Sequence, residues 1–258
     1  MTSENKQFIT IKNIEIGNTR PVVCVPVMGK TKDEIVSQVK KYTSENAQMI
    51  EWRVDAFEKA DSMNAIREVL SEIKEMLCNT ILLYTYRTKK QGGLGNHDEK
   101  TIEDIRMVAA ESRVADIIDV ELMESRNPSK EMEALKEEGA YTIASHHDFE
   151  QTPDIEIIEM ILEKMYLAGA DIVKIAVMPN CVSDVIELLK ATNDFHEKYP
   201  NVLLVTMSMG NIGSISRICG EYIGSCITFG AGEKASAPGQ IEKDELGIML
   251  DIIHKSLK

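Results

Sequence analysis

The sequence predicts an α/β protein of the (β/α)8 TIM-barrel class, with an N-terminal β-hairpin capping one end. Three observations carry this expectation. From residue 21 onward, eight short runs rich in β-branched residues alternate with eight segments of helical period. The runs are apolar nearly throughout, as strands of a parallel sheet covered on its outer face must be. Eight such units in 258 residues also match the usual size of this barrel, roughly 250 residues. The main rival is a doubly wound open sheet. It is weakened by the single glycine of Val27-Met-Gly-Lys-Thr31, where a G-x-G-x-x-G turn would be expected.

The elements follow in order. Phe8-Ile-Thr-Ile-Lys-Asn-Ile-Glu-Ile-Gly17 alternates apolar and polar residues about Lys12-Asn13, as a hairpin does. The strand-like runs are 21–27, 47–54, 80–86, 115–122, 140–145, 171–177, 201–207 and 225–228. The helical patterns between and after them are 32–42, 62–78, 97–112, 129–138, 153–168, 182–198, a short 212–219 and 241–258. Thr152-Pro153-Asp154 supplies an N-cap followed by proline in the first turn, and Gly139 and Gly169 sit where helices should end. With no linker, repeat or low-complexity segment, residues 1–258 read as a single barrel domain that includes the hairpin at 1–20.

Composition narrows the function. A formal charge of −13 disfavours nucleic acid and anionic membranes as partners. The polar start Met1-Thr-Ser-Glu-Asn-Lys-Gln7 lacks a signal-peptide core, and no segment approaches the roughly 20 apolar residues of a membrane span, so a cytoplasmic protein is expected. Five scattered cysteines without a C-x-x-C pair suggest reduced, mostly core thiols and no zinc site.

Chemistry in this barrel collects at the C-terminal strand ends. Those ends carry Glu51-Trp-Arg-Val-Asp55, Tyr84-Thr-Tyr-Arg87, Asp119-Val-Glu121, Ser145-His-His-Asp-Phe149, Lys174, Met207-Ser-Met-Gly210, Arg217 and the loop Phe229 to Gln240. Each has a plain structural reading: Glu51 and Arg53 as an ion pair, Asp55 and Glu121 as supporting partners, the loop glycines as relief of backbone strain. Their convergence on one rim favours function.

Lys174 stands apart. In Asp171-Ile-Val-Lys-Ile-Ala-Val177, a period of two places it with Ile172 and Ala176, facing into the barrel. Lysine is almost never fully buried without a partner or purpose. Burial with cations such as Arg53 and Arg87 nearby lowers its pKa and supplies a nucleophilic amine for a ketone. A lysine reaching the rim, or paired with Glu121, is the structural alternative. The neighbouring fifth strand ends in His146-His147, of which one can serve as general acid and base. Two adjacent histidines diverge and make a poor metal pair. His97, His196 and His254 fall on helices or loops and read as solvated.

With Lys174, His147, Glu51-Trp-Arg53 and Arg87 assembled, the chain resembles the type I 3-dehydroquinate dehydratases over nearly its whole length. The motifs that carry the resemblance are Met28-Gly-Lys30, Glu51-Trp-Arg-Val-Asp55, Thr85-Tyr-Arg87 with Gly92-Gly93, and Ser145-His-His-Asp-Phe149. They continue with Val173-Lys-Ile-Ala176, Met207-Ser-Met-Gly210 leading to Ser216-Arg217, and Ala235-Ser-Ala-Pro-Gly-Gln240. The resemblance implies a shikimate-pathway lyase acting on 3-dehydroquinate, usually a homodimer, with neither metal nor cofactor. It implies that Lys174 forms the imine and that His147, which precedes Asp-Phe, is the general acid and base. It further implies that Glu51, Arg53 and Arg87 hold substrate hydroxyls, and that Arg217, Ser236 and Gln240 surround the carboxylate under a lid formed by the eighth-strand loop. The chain departs from the family pattern at Gln91, where a glutamate is frequent; an amide can hydrogen-bond but cannot relay a proton.

On the chemistry alone, a class I aldolase or transaldolase shares the barrel and the lysine. A phosphate-binding barrel enzyme could use the glycines of the last loop, but that stretch is poor in basic and aromatic residues and lacks a strong P-loop pattern. A non-enzymatic binding domain would keep the arginines but could lose Lys174 or His147, and both are present.

Overall fold

The structure is a computed structural model that describes residues 8–18, 20–233 and 236–258. The polar start at 1–7, and Lys234 and Ala235 of the last loop, lie outside the described residues. Strands β1 (Ile9–Ile11) and β2 (Ile14–Ile16) pair antiparallel as the expected hairpin. Then come β3 (Val22–Val27), α1 (Lys32–Ser44), β4 (Met49–Arg53), α2 (Met63–Leu77), β5 (Ile81–Thr85) and α3 (Glu99–Ser112). These are followed by β6 (Ile117–Glu121), α4 (Pro128–Glu137), β7 (Tyr141–Asp148), α5 (Ile155–Leu167), β8 (Ile172–Val177) and α6 (Val182–Lys198). The last elements are β9 (Leu203–Ser208), α7 (Gly220–Ile223), β10 (Ile227–Phe229) and α8 (Lys243–Ser256).

Among the described residues, β3 to β10 form one parallel sheet in the order β10-β3-β4-β5-β6-β7-β8-β9. The sheet closes on itself where the Cys226 amide donates to the Leu204 carbonyl at 2.8 Å and the Thr206 amide donates to Ser225 Oγ at 3.1 Å. This is the (β/α)8 barrel. Its strands are apolar on both faces because one face meets the helices and the other fills the interior. Val173, Ile175 and Val177 of β8 pack into the helix-side core, while Ile172 and Ala176 join the interior core.

The interior has an apolar floor and a polar upper half. The floor is built from residues near the strand starts, including Val22, Met49, Ile81, Ile117, Ile143 and Ile172. Ile11 and Ile16 of the hairpin pack beneath it, and Lys12 Nζ reaches Asp116 at 2.8 Å and the Thr80 carbonyl at 2.6 Å. The hairpin therefore plugs the end opposite the strand C-termini. The charged side chains of the cavity described below stand above that floor.

Local signals explain most boundaries. Thr31 with Glu34 forms a capping box, and Ser62, Asp98 and Asn127 each accept an amide hydrogen bond at the head of their helices, worth about 1 kcal/mol apiece. Gly139 and Gly169 take positive φ just past α4 and α5, as expected. Three expectations are corrected. The cap of α5 is Asp154, without a side-chain bond, while Thr152 Oγ1 donates to the Met178 carbonyl. The segment expected as one short helix at 212–219 is a 3-10 turn, Ile212–Arg217, followed by the four-residue α7. Of the cysteines, Cys24 and Cys226 are buried, but Cys78 and Cys181 are exposed.

Candidate active site

The eight candidate residues come together. Glu51, Arg53, Arg87, His147, Lys174, Arg217, Ser236 and Gln240 line one cavity at the C-terminal mouth of the barrel, with Gln91, Phe149, Met207, Met209 and Phe229 among their neighbours.

Lys174 lies on β8, 3% exposed, with its Cα in register with Ser145 on one side and Val205 on the other. Its Nζ is 3.9 Å from Glu51 Oε1 and 4.2 Å from the centroid of the Phe229 ring. Burial pulls its pKa below the ordinary lysine value; Glu51 and Asp119 oppose that pull, and Arg87 reinforces it. The expected help from Arg87 is present, and the alternative partner Glu121 is engaged elsewhere.

Glu121 belongs to Arg87. The Arg87 guanidinium donates to Glu121 Oε1 at 2.9 Å, to Asp119 Oδ2 at 2.8 Å and to Ser145 Oγ at 2.8 Å. Burial works against this cation, but Asp119 and Glu121 outweigh it and raise the pKa above the usual arginine range. In the same network, burial raises and Arg87 lowers the Asp119 carboxyl, which ends below the usual carboxylate value.

Arg53 does not pair with Glu51. Its Nε and Nη2 donate to the two oxygens of Asp55 at 2.8 Å each, a bidentate fork. Asp55 also accepts the amides of Arg87 and Leu94, so it ties the ends of the second and third barrel strands together. Glu51 instead accepts from Thr85 Oγ1 at 2.9 Å.

Strand β7 continues through both histidines to Asp148 and does not stop at Ser145 as expected. Alternation therefore turns His147 inward with Ser145, while His146 follows Ala144 toward the helix side. His147 is held well below the ordinary imidazole pKa by burial first, then by Arg87, Lys174 and Arg53. Its backbone N–H donates to Gln91 Oε1 at 3.0 Å, and its Nδ1 lies 3.1 Å from the same oxygen. His97 and His254, expected to be solvated, are 2.6 Å from Tyr86 Oη and Glu221 Oε1 respectively, and His196 is also engaged.

Arg217 sits across the mouth, 1% exposed. Its guanidinium donates to the carbonyls of Gly239, Pro238 and Phe229 at 2.9, 3.1 and 3.2 Å. Among the described residues no carboxylate joins these partners, and burial brings its pKa down to about 10. Gln240 Oε1 accepts the Ser236 amide at 2.7 Å, and Gln240 Nε2 donates to Ser236 Oγ at 3.0 Å. Glu233 is exposed in the same loop and meets Lys41 Nζ at 2.9 Å.

The sequence reading places Asp119, Ser145 and Phe229 on the rim but gives them no role as partners of Arg87 or Lys174. Alternation could have suggested that role for the first two, because Asp119 and Glu121 are two apart on one strand face and Ser145 precedes His147 by two. Nothing local announces that the Phe229 ring covers the lysine.

Comparison with known proteins gives one consistent answer. The family model for type I 3-dehydroquinase matches residues 23–257. The 3-dehydroquinate dehydratase of Bacillus subtilis is 41% identical over 251 residues, covering 97% of this chain and 98% of that protein. The enzyme of the same name from Clostridioides difficile is 40% identical over 254 residues, covering 98% and 99%. Among solved structures, a type I 3-dehydroquinate dehydratase from Clostridium difficile, carrying covalently modified comenic acid, superposes with a TM-score of 0.94 at 38% identity, covering 97% of this chain and 99% of that one. The 3-dehydroquinate dehydratase of Geobacillus kaustophilus gives 0.94 at 29% identity, with 98% of each chain covered. A barrel with an amine and an imidazole buried at its mouth, matched along nearly its full length by these relatives, belongs to the type I 3-dehydroquinase family.

Proposed function

We propose that the chain removes water from 3-dehydroquinate to give 3-dehydroshikimate, in the shikimate pathway, through an imine on Lys174. The observation that carries this reading is Lys174 itself: a lysine with a lowered pKa, buried in the same cavity as a neutral histidine.

The free amine of Lys174 adds to the C3 carbonyl, and loss of water with uptake of one proton from solvent, given back at the final hydrolysis, leaves a protonated imine. His147 takes the C2 proton, and the electron pair of that C–H bond moves into the iminium to give an enamine. The enamine electrons then expel the C1 hydroxyl, which leaves as water with the proton returned by His147. Water adds to the remaining imine and releases 3-dehydroshikimate and the Lys174 amine. Glu51, Arg53 and Arg87 contact substrate hydroxyls in this reading. Arg217, Ser236 and Gln240 hold the carboxylate, with the Arg217 guanidinium the one buried cation of the mouth that lacks a carboxylate among its described partners. No cofactor takes part in these steps.

The chain acts here as one unit over 1–258, the hairpin being bound to the barrel floor through Ile11, Ile16 and Lys12. A cytoplasmic homodimer is the proposed working form. Among the described residues, no helix is long and apolar enough to cross a membrane. Exposed Ile248 and Ile252, one turn apart on α8, offer an apolar strip for a second copy, which the sequence pattern did not suggest.

Borohydride reduction in the presence of 3-dehydroquinate, followed by peptide mass analysis, tests the imine. An adduct on Lys174 is expected. Dehydration by Lys174→Met at near the parent rate would refute the reading. In the same assay His147→Ala loses most turnover while His146→Ala keeps it.

A further inference from the structure

Strand β7 outruns its neighbour. Its pairing with β6 ends at Glu121 opposite Ser145, whereas its pairing with β8 continues through His147 and Asp148. The His147 amide therefore has no β6 partner, and Gln91 takes that place from the third barrel loop. Gln91 ends a 3-10 turn, Lys89–Gln91, which is closed by Gly92 at φ 76°. A Cβ on Gly92 would come within 2.2 Å of the Phe149 ring, so glycine is required both by its conformation and by the close approach of the ring. The turn and the ring hold Gln91, 2% exposed, against the histidine.

The amide cannot be reversed. A backbone N–H only donates, so the Gln91 atom 3.0 Å from the His147 amide is the oxygen. Gln91 Nε2 is buried without a partner among the described residues, so the orientation is set by His147 and not by a second contact. That oxygen also lies 3.1 Å from His147 Nδ1 and can only accept. Nδ1 must then carry the proton, and the neutral ring keeps Nε2 as its basic nitrogen.

We infer that Gln91 is a positioning residue that holds His147 as the single neutral tautomer protonated at Nδ1, leaving Nε2 to exchange protons with the substrate. The assignment of that exchange rests on the dehydratase reading above; the tautomer itself does not. Because the partner is a neutral amide, it fixes the ring without adding a negative charge, and the imidazole stays uncharged among Arg87, Lys174 and Arg53.

Long-range 1H–15N correlation of the substrate-free, 15N-histidine-labelled protein tests the tautomer directly, with His147→Ala identifying the signals. His147 is expected to show a protonated Nδ1 and a bare Nε2 above its titration, and Gln91→Ala is expected to lose that single pattern. A wild-type ring protonated at Nε2, or an unchanged Nδ1–H pattern in Gln91→Ala, overturns the inference.

Gln91→Glu keeps both accepting contacts and adds a charge. Its His147 titration, and the acid limb of its kcat profile, are expected to move up by about one pH unit or more. Gln91→Ala is expected to lose about 10- to 100-fold in kcat, with KM changed less. An unmoved His147 titration in Gln91→Glu also overturns the inference. Failure of borohydride trapping with the tautomer intact would instead remove only the dehydratase reading.

Discussion

Thr85 holds Glu51 away from the lysine it faces. The Glu51 oxygen that accepts the Thr85 hydroxyl at 2.9 Å is the same one that lies 3.9 Å from Lys174 Nζ, beyond direct hydrogen-bond reach. The two form a loose ion pair, in which the carboxylate acts on the amine through space without a direct hydrogen bond to clamp it. A clamped ammonium could not add to a carbonyl; an amine biased by a nearby charge can once its proton leaves.

That arrangement predicts the effect of Glu51→Gln. Glu51 is the largest influence raising the Lys174 pKa against the desolvation that lowers it. Removing its charge lowers the pKa further, so more free amine is present at a given pH. The rate at which Lys174 reacts with an amine-directed reagent such as methyl acetimidate, measured against pH, should rise at lower pH in Glu51→Gln than in the parent. An unchanged or upward-shifted curve would show that Glu51 does not act on the amine. Substrate turnover is not the readout, because Glu51 also lines the binding cavity.

Arg87 supports the carboxylates around it as much as it serves the cavity. Arg87→Ala leaves Asp119 and Glu121, both fully buried, without their cation. Breaking a buried pair from one side costs about 3–5 kcal/mol, because the partner charge is stranded. Urea denaturation of Arg87→Ala at neutral pH should show a loss of that order. Adding Asp119→Asn should recover part of it, and a double variant no more stable than the single would refute the stranded-charge account. The residue thus holds buried carboxylates in place while lining the cavity, two constraints that its position at a strand end did not separate.

The barrel was legible because its code is local. The eight strand runs and intervening helical patterns follow from two periodicities, and the caps at Ser62, Asp98 and Asn127 are single residues at predictable places. Lys174 was legible for the same reason: a period of two puts it inward whatever its neighbours are. Partners were harder, because pairing depends on which strands lie side by side and how far each extends. Glu51 and Arg53 share a face and so looked like a pair, yet Asp55 lies in a tight 3-10 turn just beyond the strand and reaches Arg53 with both oxygens. Likewise, nothing in the sequence of β7 shows that it outlasts β6. It is that difference in length which opens the His147 amide to Gln91.

The buried histidines of the fifth barrel strand and the aspartates Asp55 and Asp119 give stability a common direction with pH. His147 and His146 have pKa values below the ordinary imidazole value of 6.5, chiefly through burial. Between those lowered values and 6.5, the unfolded chain binds more protons than the folded one, so stability rises with pH. Asp55 and Asp119 are also lowered, despite burial, by their arginine partners; their contribution is present above 3.8 and lost as pH falls through the folded values. Unfolding free energy should therefore decline as pH drops below about 6.5, and decline again at pH below the ordinary carboxylate range. Guanidinium titrations of the parent and of His147→Gln should show a shallower first decline in the variant. Equal slopes would mean that His147 is not buried neutral.

Arg217 carries the remaining prediction. A guanidinium at 1% exposure whose partners among the described residues are neutral has the chemistry to take an anion, as the proposed reading requires. Two of those partners, Pro238 and Gly239, belong to the loop that also carries Ser236 and Gln240, so the cation links the loop to the cavity. Its planar fork can serve loop carbonyls and a carboxylate together, which the single ammonium of lysine cannot match. Arg217→Lys keeps the charge and loses the fork. Truncating one side of a buried charged contact costs about 2–5 kcal/mol, and about 2 kcal/mol corresponds to roughly 30-fold in affinity. Steady-state kinetics with 3-dehydroquinate should show KM raised by at least roughly that factor, with kcat reduced less. The parent should also gain thermal stability from saturating product, a gain that Arg217→Lys largely loses because ligand stabilisation scales with occupancy. A variant with parental KM and an undiminished thermal shift would place the carboxylate elsewhere in the mouth.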